Sequence, residues 1–120
     1  MIKNTKADLE INGTKISADI KIEVIESEHV DLSHWDYEED RQRIKNGEIT
    51  VVDVIVRAEA FDLFGLDSIS QCAVSSMRGE KFELELEEIL SDCKLVENAL
   101  TDLEKTIKHM AQQLHGILGI

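Results

Sequence analysis

Residues 80–117 read EKFELELEEILSDCKLVENALTDLEKTIKHMAQQLHGI, and this stretch decides the fold. Its apolar residues fall at Leu86, Ile89, Cys93, Val96, Leu100, Leu103, Ile107, Met110, Leu114 and Ile117, at spacings that alternate three and four without a break. An α-helix of about 3.6 residues per turn brings such positions onto one face. The chain contains no proline to interrupt it. The spacing therefore predicts helix over 80–116, with a break near Ser91-Asp92, where either side chain can cap a second helix. The first turns carry a competing signal: Phe82, Leu84 and Leu86 alternate with Glu83, Glu85 and Glu87, which is strand period. Glutamate and leucine form helices well and strands poorly, which favours helix. An edge strand over 81–86 is the alternative.

Upstream, the pattern changes to strands. Leu9 and Ile11 lead into Asn12-Gly13, the strongest short-range hairpin signal. Beyond it Ile16, Ala18, Ile20, Ile22 and Val24 alternate with polar residues, as in a half-buried strand. The reading is a hairpin of 7–11 and 14–25, preceded by a flexible polar tail at 1–6. Residues 26–47 form an insertion in which Asp36 to Lys45 is a short helix, with acids at its start, basic residues at its end and Asn46-Gly47 as its stop. Trp35 precedes it as an anchor folding the segment onto the sheet. Val52, Val54, Val56, Ala58 and Ala60 make 48–63 the most strand-like segment; Phe64-Gly65-Leu66-Asp67 reads as a turn, and 68–76 as a weakly patterned fourth strand. The expected fold is α+β: one domain over 1–120, with a four-stranded, mainly antiparallel sheet over 7–76, the helical insertion, and a long C-terminal helix at 80–116 packed on one face.

The 120 residues hold 25 Asp and Glu against 13 Lys and Arg, a net charge of −12. Contacts to phosphate backbones need clustered Lys and Arg, so nucleic acid itself is not an expected ligand. The charge suits a protein with a basic surface, or a surface that itself resembles nucleic acid; solubility alone explains it equally well. Cys72 and Cys93 sit in apolar positions, without a CxxC pair or a Cys/His cluster, and read as reduced core residues. The first residues lack the apolar core of a signal peptide and no apolar run approaches a membrane span, so the expectation is a cytoplasmic protein with no membrane partner.

The residues with most chemical content are acids. Glu83, Glu87 and Glu88 belong to a run that is acidic from Glu80 to Glu104 apart from Lys81 and Lys94; Asp36, Glu38, Glu39 and Asp40 surround the only Trp and Tyr, Trp35 and Tyr37. Carboxylates spaced along a helix can occupy Arg and Lys sites built for phosphates, with an aromatic residue as anchor. A solvated helix face and a core tryptophan are the alternatives. His29, His34, His109 and His115 fit no metal-binding spacing, and no nucleophile elbow, phosphate loop or dinucleotide motif is present. The expectation is a non-enzyme without cofactor or metal.

The stripe also invites a coiled-coil reading. With Leu86, Cys93, Leu100, Ile107 and Leu114 at position a, Asp92 at g faces Glu97 at e of a parallel partner, and like charges oppose that pairing. Leu90, Ala99, Ala111 and Leu118 widen the stripe, which suits a helix on a sheet. A homodimer of another geometry stays open.

The run Trp35-Asp-Tyr-Glu-Glu-Asp-Arg41, then Gly47-Glu48, the Val-rich strand and Leu66-Asp67-Ser68 resembles small acidic proteins encoded by phages and other mobile elements. The resemblance implies counter-defence: inhibition of a nucleic-acid-handling host protein such as a CRISPR effector. The alternative function is a small structural or assembly module that oligomerises partly through its C-terminal helix.

Overall fold

The computed structural model describes residues 1–119. Four strands, β1 (Ile2–Ile11), β2 (Thr14–Glu26), β3 (Thr50–Ala60) and β4 (Leu63–Val74), form one antiparallel sheet in chain order. A short helix, α1 (Glu38–Lys45), lies in the β2–β3 connection behind a 3-10 turn at Leu32–His34. Two helices follow the sheet, α2 (Gly79–Asp92) and α3 (Leu95–Leu118). The expected α+β architecture is the one observed.

Strand alternation builds the core. Ala18, Ile20, Ile22 and Val24 of β2 and Val52, Val54, Val56 and Ala58 of β3 are buried on one face, against Phe82 and Leu86 of α2 and Leu95, Ala99 and Leu103 of α3. The polar parity of the strands lies on the other sheet face, away from α2 and α3. The first hairpin turns at Asn12 and Gly13, both at positive φ (50° and 80°), the two-residue turn whose twist matches the strands.

Several boundaries differ from the sequence reading. β1 begins at Ile2, so the segment expected to be a flexible tail is strand; the Met1 ammonium donates to the Val24 carbonyl at 2.9 Å, and the Val24 amide donates to the Met1 carbonyl. Residues 3–6 carry no apolar pattern because the backbone ladder holds them, and Lys3 on the helix side meets Glu83 at 3.5 Å. The second hairpin turns at Phe61 and Asp62 (φ 54° and 59°), not at 64–67, and Gly65 lies inside β4. β4 looks weakly patterned because it holds a bulge. Val52 pairs with Cys72 and Val54 with Ile69, so Ser70 and Gln71 together oppose Asp53, with Gln71 at φ 59°. Ile69 and Cys72, three apart, thereby both reach the core.

The segment 81–86 is helix, not an edge strand. The helical stretch breaks at Cys93 and Lys94, slightly beyond the expected point. Lys94 takes a left-handed conformation (φ 51°), and neither Ser91 nor Asp92 caps α3. The break changes which residues face inward. Beyond it Leu95, Ala99 and Leu103 are fully buried, while Val96, Leu100 and Ile107 flank them. Asn98 Nδ2 donates to Asp67 Oδ2 at 3.0 Å, and the Leu66 amide donates to Asp102 Oδ2 at 2.9 Å, tying α3 to the edge strand.

Candidate functional site

The Trp35 loop is held by a polar fastener. Asp53, on the open sheet face beside the bulge, accepts from Ser27 Oγ at 2.8 Å and from the Gln71 amide at 3.1 Å through the same oxygen. The Gln71 side chain in turn donates to the His29 carbonyl and accepts from the Asp31 amide, each at 3.0 Å. Asp31 caps the 3-10 turn through the Ser33 hydroxyl and amide; these bonds, with a smaller contribution from His34, hold its carboxyl below the usual range. Trp35 is half-buried, its ring edge-on to His34 at 5.1 Å, and its carbonyl accepts from Arg41 Nε at 2.8 Å. The anchoring role that the sequence suggested for the Trp35 ring thus falls at least in part to Gln71, whose polarity gave no such signal.

Of the candidate contact residues here, Asp36, Glu38 and Glu39 are exposed, Asp40 is half-buried and Tyr37 is 73% exposed. Of these acids Glu38 alone has an ion pair within 4.0 Å among the described residues; Asp36, Glu39 and Asp40 have none. Glu38 accepts from Gln42 at 3.0 Å and pairs with Arg41 at 3.4 Å; the Gln42 bond foremost, then the nearby positive charges, keeps its carboxyl below the usual range. Arg43 pairs with Glu48. Within α1 Glu38, Glu39 and Asp40 stand against Arg41, Arg43 and Lys45, so the helix has no net charge, and Asp36 precedes it.

α2 is different. Phe82 and Leu86 are buried, which turns Glu80, Glu83, Glu87 and Glu88 outward, all exposed. Six acids stand against Lys81 in this helix. Glu83 is committed to Lys3, and Glu85 accepts from the Ser75 amide at 3.0 Å. Among the described residues Glu80, Glu87 and Glu88 make no ion pair within 4.0 Å. The candidate acids therefore fall on two separate elements; both carry unpaired carboxylates, and α2 has the larger excess of acids over bases.

The feature that the sequence reading placed in the core and the structure does not is the second half of α3. The stripe continues past the buried Leu103 and half-buried Ile107, but Met110 is 39%, Leu114 49% and Ile117 79% exposed, with Leu118 exposed beside them. From Lys108 to Leu118 every residue is exposed. A 24-residue helix is about 36 Å long, and this one outruns the surface it covers; the molecule measures 62 × 28 × 20 Å. A signal was present in the sequence: the last Asp or Glu is Glu104, while Lys105, Lys108, His109 and His115 follow.

A depression of about 560 Å³ on the open sheet face sets Lys6, Lys21 and Arg57 beside Asp19 and Glu59. Lys6 meets Asp19 at 3.8 Å, and Arg57 meets Glu59 at 3.5 Å and lies over the Phe64 ring at 4.3 Å, so all of its charges but that of Lys21 are paired within the depression. Cys72 and Cys93 are free and half-buried; burial, then the neighbouring Cys93 and Asp53, pushes the Cys72 thiol up. Among the described residues no group of three or more His, Cys, Asp and Glu is placed to hold a metal, and no helix is long and apolar enough to cross a membrane.

No protein-family model, curated protein or solved structure matches the chain.

Proposed function

We propose that this chain is a non-catalytic protein-binding module whose joining element is the projecting half of α3. The observation that carries the reading is the exposed continuation of the core stripe, Met110, Leu114, Ile117 and Leu118, on a helix already fixed at its base by Leu95, Ala99 and Leu103. A rigid base and an unpartnered apolar end describe a docking helix, in which side chains at successive turns enter a groove or pair with another helix. Nothing in the domain's own core needs these residues. Replacing both Met110 and Leu114 by Lys tests the reading. Loss of assembly or partner binding, with an unchanged melting temperature at low protein concentration, supports it; unchanged assembly refutes it.

A second reading rests on α2. Its outward acids would bind a basic surface on a nucleic-acid-handling protein, such as a CRISPR effector, the counter-defence role that the resemblance to small acidic proteins of phages and other mobile elements implies, with the Trp35 loop as a further contact. What favours it is the uncompensated charge of Glu80, Glu87 and Glu88 on a helix whose opposite face is buried. Changing Glu87 and Glu88 to Lys would slow association with such a partner, most strongly at low salt, since charges at an interface rim steer encounter. An association rate independent of both the substitutions and the salt removes this reading.

A further inference from the structure

We propose that the occupant of the projecting α3 stripe is the same stripe of a second copy, paired antiparallel about a two-fold axis near Gln112. The inference rests on the docking-helix reading above and supplies its partner.

The first argument is self-complementarity. A two-fold interface must match itself. Ile107, Met110, Leu114 and Ile117 are spaced three, four and three. That order is the same in both chain directions, so an antiparallel match sets Ile107 beside the partner's Ile117 and Met110 beside the partner's Leu114. The residues flanking the seam are Thr106 and Gln113 on one side and Ala111 and Leu118 on the other, all uncharged. The repulsion between Asp92 and Glu97 that opposes a long parallel coiled coil lies upstream, where the helices are already packed on the sheet. Ala111 would meet Ala111 of the partner subunit, and its small side chain lets the backbones approach.

The second argument is charge. No Asp or Glu side chain lies between Lys105 and Gly119, whereas the residues before them hold all 25 acids. Among the described residues this segment exposes Met110, Leu114, Ile117 and Leu118 on one helix, where two copies of a chain of net charge −12 can meet without opposing Asp or Glu side chains. Orientation follows from the same charge. Parallel pairing would hold the two acidic bodies side by side, while antiparallel pairing places them at opposite ends of the joined helices. The eleven residues from Lys108 to Leu118 span about 16 Å, more than the screening length of about 8 Å at physiological salt. Four seam residues per copy make an interface below the roughly 1,200–2,000 Å² of stable, specific complexes, so the dimer forms and dissociates with concentration.

Sedimentation over a dilution series reads the association directly: the mass rises from 13.6 kDa toward twice that value. Met110→Lys with Leu114→Lys weakens it by about 30-fold or more, the equivalent of about 2 kcal/mol. Orientation is read by cross-linking after Cys72 and Cys93 are replaced by Ala, with folding checked by circular dichroism. Ala111→Cys then forms an intermolecular disulfide, and Leu114→Cys does not. Cross-linking through Leu114→Cys alone would show a parallel pair and overturn the proposed geometry while leaving the docking helix intact. A monomer at every concentration, with the Lys variants abolishing capture of a different protein, would overturn self-pairing but keep the docking helix. A monomer with no effect of the Lys variants on any binding would overturn both.

Discussion

Gly65 lies against the backbone of α3 at Leu103: a Cβ on Gly65 would collide with the Leu103 amide and the Ala99 carbonyl, and would stand 2.8 Å from the Asp102 carbonyl carbon. The glycine that resembled a turn in the sequence is instead the place where helix and strand touch. Helix backbone cannot yield as a flexible side chain can. Gly65→Ala is therefore expected to destabilise the fold by about 1–3 kcal/mol or more, and to loosen the Asp102 bond to the Leu66 amide beside it. Urea titration measures the first effect, and amide exchange at Leu66 the second. A variant as stable as the parent would mean that α3 sits farther from β4.

The fastener at Asp53 leads to a second expectation. One carboxylate oxygen holds Ser27 and the bulge amide of Gln71, and Gln71 holds the loop at His29 and Asp31. Asp53→Ala leaves the Ser27 hydroxyl and the bulge amide without their partner, at a cost of about 1–3 kcal/mol. The core strands should persist while residues 28–37 become protease-sensitive. Limited proteolysis with mass spectrometry decides it: cleavage confined to that loop is expected, and an unchanged digestion pattern would remove Asp53 from this role.

These two sites show what the sequence made legible. Alternation exposed β2 and β3, Asn12-Gly13 exposed the first hairpin, and the three-four spacing exposed both helices, because each is a local pattern set by burial on one face. The Phe61-Asp62 turn was not legible, since the first of its two positive φ values falls on a phenylalanine, which does not favour it, while Gly65 nearby carried the stronger turn signal. The bulge at Gln71 broke the period of β4 and made it look weak. The acids of α2 were legible as a charged face. That α1 carries as many bases as acids follows from counting both signs in the segment. The extent of the core was the largest misreading: periodicity shows which face of a helix is apolar and not where the surface beneath it ends.

Acid should release the Trp35 loop before it unfolds the sheet. The Asp31 carboxyl is held below its usual range by bonds from Ser33, and Glu38 by the bond from Gln42. A carboxyl with a lowered pKa binds fewer protons folded than unfolded. Its contribution is present above the ordinary carboxylate values, about 3.9 for Asp and 4.3 for Glu, and is lost as pH falls through the lowered ones. Trp35 fluorescence, its ring packed on His34, should therefore change below about pH 4 while far-UV circular dichroism stays nearly constant. Asp31→Ala should show the acid-like signal already at neutral pH. Coincident fluorescence and dichroism transitions would mean that loop and sheet titrate as one.

Leu103 and Leu114 occupy the same stripe eleven residues apart and should respond oppositely to one substitution. Leu103 is fully buried in the core cluster, whereas Leu114 is about half exposed on the projecting end. Leu103→Ala removes buried methyl groups and leaves a cavity, for a loss of about 2–5 kcal/mol. Leu114→Ala, measured at a protein concentration low enough to keep the chain monomeric, should change stability by less than about 0.5 kcal/mol, as at surface positions generally. The contrast should reverse in association. Leu103→Ala, provided it remains folded, keeps the docking end intact, while Leu114→Ala thins the seam and shifts the monomer–dimer balance toward monomer. Urea titration and sedimentation on the same two variants separate the roles. Equal losses of stability would place the second half of α3 in the monomer's own core, and the projecting helix would then have no surface left to offer a partner.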